Sequence, residues 1–394
     1  MATLPKKTGK ELKAEQKKLS DFNFKVLAPL ATTEYSHYYD LIVNNPQQIA
    51  RLGTDLGPIY RLLWEGYSGE DASYCINRYL RTGDFSFKLF EGKSMLSGEA
   101  FSENLEKKSF NELFSKFISS IVEIIPLSDT ITKESISNLL IENNVVSQND
   151  YNFIEYTNRS FLVIKSFIKQ NFISKLEVNE KMDILIKYYD LSFSYEGSVG
   201  NAFMSGPLLP LVNTTTGREV FYRGIGNLSA EEFKEELEKY PEKIAYTSTT
   251  SDFNVASWHA CHNVEIEGGD MSNKLVVEFV PDPGINIINI VEGIQKDGFA
   301  WEKEFIFPRG CILTFKEERV IENYDTLDVF FDVQIKPTTD TMKVVSVRIS
   351  HPSASASVPA SESSAIGGRR NRSKRSRKNR KSKRRGKKMH TRRR

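Results

Sequence analysis

Between positions 21 and 200, apolar residues recur at steps of three and four. Leu63, Trp64 and Tyr67 are followed by Ile76, Tyr79 and Leu80, and Phe110, Leu113, Phe114, Phe117, Ile118 and Ile121 repeat the spacing. A 3.6-residue period gathers such positions on one face, so helices are predicted here and again over 151–172 and 181–189. Gly57-Pro58 and Pro126 punctuate them. From 201 to 350 the pattern changes. Short β-branched and aromatic runs at 219–222, 243–249, 274–280, 285–290, 304–307, 312–315, 327–335 and 343–349 alternate with turn residues, the spacing of antiparallel strands. One clear helix breaks the series. Ser229 and Glu232 form a capping box, and the helix they open is expected to run to Tyr240 and stop at Pro241. A second helix is expected over 253–261, capped by Ser251 or Asp252.

The pattern therefore predicts an α+β chain in four stretches. Residues 1–20 are a mobile basic arm. Residues 21–200 are helical and pack on residues 201–350, a two-sheet, mostly antiparallel β-sandwich. Residues 351–394 are a Ser/Ala/Pro linker followed by a disordered basic tail.

Charge sharpens this division. The formal net charge of +3 hides an asymmetry, because 17 of the 54 basic residues lie between Arg369 and Arg394 with no acid among them. The rest of the chain has 37 basic against 51 acidic residues, a balance of about −14. No apolar run reaches the roughly 18 residues that span a bilayer, and no signal-peptide pattern opens the chain. Cys75, Cys261 and Cys311 are odd in number and far apart, which points to a reducing, intracellular compartment.

Three places could carry chemistry. Tyr222-Arg223-Gly224 ends a strand, where an arginine can grip a phosphate and a glycine lets a ligand come close to the backbone. An ordinary surface ion pair is the plain alternative. Tyr246-Thr247-Ser248-Thr249-Thr250-Ser251 sets hydroxyls at a strand end, able to orient a carboxylate or simply to lead into a turn. Glu302-Lys303-Glu304 opens an apolar strand. Two carboxylates at strand positions i and i+2 would share a face about 6.6–6.8 Å apart. Such a pair suits chemistry at an anomeric carbon, including an inverting glycoside hydrolase, and also suits a solvated sheet edge. His259-Ala260-Cys261-His262 lacks the ligand spacing of a zinc site, and no metal is expected. Neither a P-loop nor a GxGxxG turn is present.

The three places occur in a fixed order: strand-end Arg, strand-borne Ser-Thr-Thr, then Glu-x-Glu. In that order the chain resembles the arginine-type mono-ADP-ribosyltransferases, the Arg–Ser–Glu class that includes bacterial exoenzyme toxins. Tyr67-Ser68-Gly69, Ile76-Asn77 and Leu80-Arg81 extend the likeness upstream, so that it covers roughly residues 50 to 340. Departures are Thr250 at the third hydroxyl position, one extra residue between Tyr67 and Asn77, an insertion of about 100 residues after Arg81, and no arginine between Cys261 and Lys274.

The resemblance implies an ADP-ribosyltransferase-like fold, NAD as substrate, and transfer of ADP-ribose to an exposed arginine of a target protein with release of nicotinamide. In that picture Arg223, Ser248, Glu302 and Glu304 are catalytic. Arg223, Gly224, Ser248, Thr249, Thr250, Asn77 and Glu304 bind NAD. Glu304 faces the oxocarbenium-like centre, Ser248 orients it, Glu302 selects arginine, and Trp301 and Phe299 lie where the target is read. An NAD glycohydrolase, or an inactive NAD-binding protein with a nucleic-acid-binding tail, is the alternative. Residues 369–394 suit nucleic acid, an acidic partner or nuclear import, and resemble in composition the tails of large-DNA-virus proteins.

Overall fold

The structure is a computed structural model that describes residues 9–53, 55–68, 72–83, 103–147, 153–199, 209–267, 273–290, 300–329 and 332–351. All of these belong to one compact unit that ends at Ser353. The linker and basic tail lie outside the described residues.

Nine helices are described before residue 200: α1 (Gly9–Phe22), α2 (Ala28–Tyr39), α3 (Pro46–Arg51), α4 (Gly57–Ser68), α5 (Ala72–Thr82), α6 (Glu103–Ile124), α7 (Lys133–Glu142), α8 (Phe153–Lys175) and α9 (Val178–Ser192). Residues 9–20, expected to be a mobile arm, are instead helical in α1. Their Lys, Glu, Ala, Leu and Gln are strong helix formers, and propensity outweighs the missing apolar stripe. The arm ends where Phe22 and Leu27 are buried in the main core.

The stretch read as an insertion after Arg81 is not an appendage, because α6 to α9 supply much of that core. Phe110, Phe114, Phe117, Ile164, Ile168, Phe172, Tyr188 and Tyr189 are all within it and essentially inaccessible. Trp64 of α4 is its aromatic hub. The indole makes edge contacts with Tyr67, Tyr189, Phe193 and Tyr246 and donates to Ser192 Oγ at 2.9 Å.

Among the described residues, twelve strands follow: β1 (Ser198–Val199), β2 (Leu209–Pro210), β3 (Val212–Thr214), β4 (Phe221–Ile225), β5 (Thr247–Thr250), β6 (Leu275–Pro281), β7 (Asn286–Asn289), β8 (Glu304–Phe307), β9 (Ile312–Glu322), β10 (Asp325–Asp328), β11 (Gln334–Pro337) and β12 (Thr341–Ser350). Two helices interrupt them, α10 (Ala230–Lys239) and α11 (Phe253–Glu267). Ser229 caps α10 by accepting from the Glu232 N–H, as its sequence requires.

Eight strands form one sheet in the order β3-β7-β8-β5-β4-β6-β12-β9, antiparallel except where β12 runs parallel to β6. Two separate sheets were expected. The hydrogen bonding instead gives one continuous order, but its halves of four strands meet at β4 and β5 through a single registered pair, Tyr222 opposite Thr250. The predicted strand over 327–335 is also corrected. The chain turns back inside it, at Asp332 and Val333, and pairs β10 with β11.

Alternation along the central strands explains how helices cover both faces. Leu275, Val277, Phe279, Val345, Val347 and Ile349 pack with Phe233 and Leu237 of α10. Val276, Met342 and Val344 pack on the other side with Ala256 and Ala260 of α11. The helical half rests on the opposite end of the sheet, where Leu211, Tyr246, Ile288, Ile290 and Ile306 join its core. Among the described residues, no helix is long and apolar enough to cross a membrane.

Candidate functional site

Three segments that are remote in sequence meet where β4, β5 and β8 lie side by side. Register does the work. Ser248 stands opposite Ile306, and Glu304 opposite Thr250, so Ser248 and Glu304 are diagonal neighbours on one face. The Ser248 hydroxyl donates to Glu304 Oε1 at 2.5 Å. Arg223 comes from the other half-sheet and donates from Nη1 to the Ser248 carbonyl at 2.9 Å. A serine thus holds the arginine through its backbone and the glutamate through its side chain.

Glu304 is buried, and burial raises its carboxyl above the ordinary range, against the opposing pull of Ser248 and the Arg223 charge. Glu302 does not share a strand face with it. It ends a short turn at Ala300–Glu302, and Lys303 lies between the two glutamates in the left-handed region, φ 45°. That conformation breaks the two-residue alternation assumed from sequence. Lys303 is tied down by its ammonium, 2.8 Å from Asp252. Burial pushes the Glu302 carboxyl up to about 7, with the nearby Glu304 charge adding to the effect.

The hydroxyls around Ser248 have other employment. Thr249 lies on the opposite face and donates to the Phe305 carbonyl. Thr250 accepts from the Asp252 N–H in the turn that opens α11, and Asp252 then caps the helix by accepting from the Asn254 N–H. Both hydroxyls are thus hydrogen-bonded within the protein, and Thr250 stands directly across from Glu304 on the same face of the sheet. Gly224 has a packing reason of its own. A Cβ there would stand 1.9 Å from the Ala256 carbonyl oxygen and 2.5 Å from the Ala260 nitrogen.

Helices α4 and α5 bring further groups to the same region. Asn77 donates to the Tyr67 hydroxyl at 2.8 Å, while its buried Oδ1 has no partner among the described residues. Burial raises the Tyr67 phenol, and the charges of Glu304, Arg223 and Arg81 all reach it. Lys243 was not foreseen. Burial lowers its ammonium, and the charges of Arg223 and Arg81 lower it further, against the pull of Glu236. Lys243 is thus within reach of the charges of both Arg223 and Arg81. Such a cluster suits an anion, and the orphaned Asn77 oxygen suits a donor on that anion's carrier.

Two aromatic and imidazole pairs, also unforeseen as a unit, flank Glu302. His259 of α11 lies nearly parallel to Trp301 with ring centroids 6.1 Å apart, and Trp258 is stacked on His262 at 4.4 Å. Trp258 meets Trp301 edge-on at 5.3 Å. The His259 Nε2 lies 3.8 Å from Glu302 Oε1. The His-Ala-Cys-His segment drew notice only as a poor metal motif. Among the described residues, no three or more His, Cys, Asp or Glu side chains are grouped to hold a metal ion. No disulfide bond joins Cys75, Cys261 or Cys311 among the described residues. Phe299 lies outside the described residues.

The fold and site together define an α+β protein with a mostly antiparallel sheet and a half-buried Arg–Ser–Glu cluster across three adjacent strands, of which Glu304 is the buried member. Compared with known proteins, the chain matches no family model and no curated sequence.

Proposed function

We propose that the chain is a mono-ADP-ribosyltransferase that takes NAD as substrate and transfers ADP-ribose to the guanidinium of an arginine in a target protein. The observation that carries this reading is the chain of contacts from Arg223 through Ser248 to Glu304. Its members are the three residues that the order of sequence motifs singled out.

The chemistry asks little of such a site beyond placement and charge. The bond from C1′ to nicotinamide joins a cationic leaving group, so its cleavage is assisted by negative charge near C1′. Glu304 supplies that charge, and the Ser248 hydroxyl fixes which of its oxygens faces the ribose. Arg223, with Arg81 and Lys243 nearby, serves the pyrophosphate. Asn77 accepts a hydrogen bond from the nucleotide through Oδ1. Glu302, in its own turn, receives the acceptor guanidinium, a geometry in which carboxylate and arginine pair well. With Glu302 raised to about 7, full deprotonation of arginine beforehand would still cross roughly 5.5–7 pKa units, so the proton leaves as the new C–N bond forms.

The test is incubation of the purified chain with labelled NAD and agmatine, then with a protein extract, followed by mapping of the modified residue. Labelled arginine adducts that disappear in Glu304→Gln support the reading. Release of nicotinamide with no adduct would assign the chain as an NAD glycohydrolase, and NAD binding without turnover as an inactive relative.

A further inference from the structure

Glu302 faces a problem that its surroundings define. To receive a guanidinium it must be ionised, yet burial and Glu304 both favour its protonated form. Each transfer also leaves a surplus proton beside it. Among the described residues, Glu304 of β8 and His259 of α11 bring titratable groups to this carboxyl, while Lys303, the next residue, turns its ammonium to Asp252. His259 itself faces Glu302, His262 and the Arg223 charge.

The imidazole is well placed to serve Glu302. Its Nε2 is 3.8 Å from a Glu302 oxygen, a gap that a small rotation closes to hydrogen-bond length. Its ring is held by near-parallel contact with Trp301, the residue before Glu302, and by edge contact with Trp258. The His259 side chain keeps 36% of its surface exposed, so its path to water is open. Helix α11 is seated by the Gly224 contact, which fixes His259 relative to the cluster.

We propose that His259 is a positioning residue for Glu302 that also relays the acceptor's proton from Glu302 to solvent. The proposal rests on the transferase reading. In the transfer, the C1′–N bond to nicotinamide breaks and its electron pair leaves with the nicotinamide nitrogen. A guanidinium nitrogen forms the new C1′–N bond. One N–H proton of that nitrogen becomes surplus; it passes to a Glu302 oxygen, then to His259, then to water, and the modified guanidinium keeps its charge. Burial and the neighbouring Arg223 and His262 press the imidazole down to about 4. It therefore holds a proton only in passing, as a relay station should, and does not stand as a fixed cation against the incoming guanidinium.

The experiment compares wild type, His259→Ala and His259→Gln in transfer to agmatine. Both variants should lose roughly 10²-fold in kcat with KM for NAD unchanged, the scale of a lost proton-transfer group. Free imidazole in the medium should restore much of the His259→Ala rate and none of the His259→Gln rate, whose side chain fills the space. Unchanged kcat in the folded variants, or a loss that imidazole does not touch in His259→Ala, would overturn the relay. If His259→Ala does not fold, the kcat of His259→Gln decides. A second readout needs no turnover. The His259 ring signals in NMR should step near pH 7 as Glu302 ionises, and the step should vanish in Glu302→Gln. Absence of the step overturns the pairing. A wild-type chain without transfer, but with that step, would sink the parent reading and leave the pairing standing.

Discussion

A Cβ on Gly224 would overlap the carbonyl oxygen of Ala256, at 1.9 Å, so the strand that carries Arg223 and the helix that carries His259 touch backbone to backbone. Gly224→Ala must separate them. Overpacking of this kind costs about 1–3 kcal/mol, and here the obstacle is main chain, so the upper end is expected. Urea unfolding should show that loss, with the midpoint shifted and the slope unchanged. A neutral result would mean that α11 shifts freely on the sheet.

The two glutamates should separate by substitution. On the proposed reading, Glu304→Gln removes the charge assigned to C1′ and should abolish both transfer and NAD hydrolysis. Glu302→Gln should spare much of the hydrolysis and lose transfer to agmatine. Nicotinamide release and adduct formation, measured in parallel, check the division. Equal loss of hydrolysis in both variants would refute it.

The same carboxyl sets a pH dependence. With Glu302 raised to about 7, kcat/KM for agmatine should climb through neutral pH and level off above it. A flat profile between pH 6 and 8 would remove Glu302 from the acceptor site.

Stability runs the other way. The unfolded carboxyl loses its proton near 4.5 and the folded one only near 7, so the folded state binds more protons between those values. The contribution of Glu302 to stability therefore falls as pH rises across that window and is constant outside it. Glu302→Gln should match wild type at pH 4 and exceed it by about 3 kcal/mol at pH 8, from 1.36 kcal/mol per pKa unit. Thermal melts at the two pH values test this, and a Gln variant that is no more stable at pH 8 would contradict it.

The basic tail should be separable from turnover. Every residue of the cluster lies between Tyr67 and Glu304, so deleting 369–394 should leave agmatine modification nearly unchanged. Nucleic-acid binding by the intact chain should weaken steeply with salt, by a logarithmic slope of about −0.7 to −0.9 per neutralised phosphate, and should be lost with the tail. Salt-insensitive binding would assign the contact elsewhere.

The strands that carry the cluster were legible from their β-branched and aromatic runs, and the order of the motifs they bear pointed to the residues that meet. That Ser248 and Glu304 share a face was expected from the resemblance alone, because the register that brings them together, Ser248 opposite Ile306 and Glu304 opposite Thr250, is set by tertiary pairing. Glu302 was misjudged because its setting depends on Lys303, a residue with no outward sign of a left-handed backbone. The hairpin inside 327–335 was missed for the same reason, since Asp332 and Val333 turn the chain without glycine or proline. Lys243 and His259 carry no motif at all. Their positions follow from tertiary packing, and the one hint was a complementarity of small residues, Gly224 against Ala256 and Ala260.

One registered pair joins the two halves of the sheet, Tyr222 with Thr250, and the Arg223–Ser248 contact crosses that same seam. On the transferase reading, the arginine is therefore a stitch as well as the group that meets the pyrophosphate. Whatever draws its guanidinium away from the Ser248 carbonyl loosens the seam, and whatever tightens the seam withholds the guanidinium. If Arg223 serves the pyrophosphate as proposed, substrate affinity and the mechanical stiffness of the sheet are two faces of a single tug on one side chain.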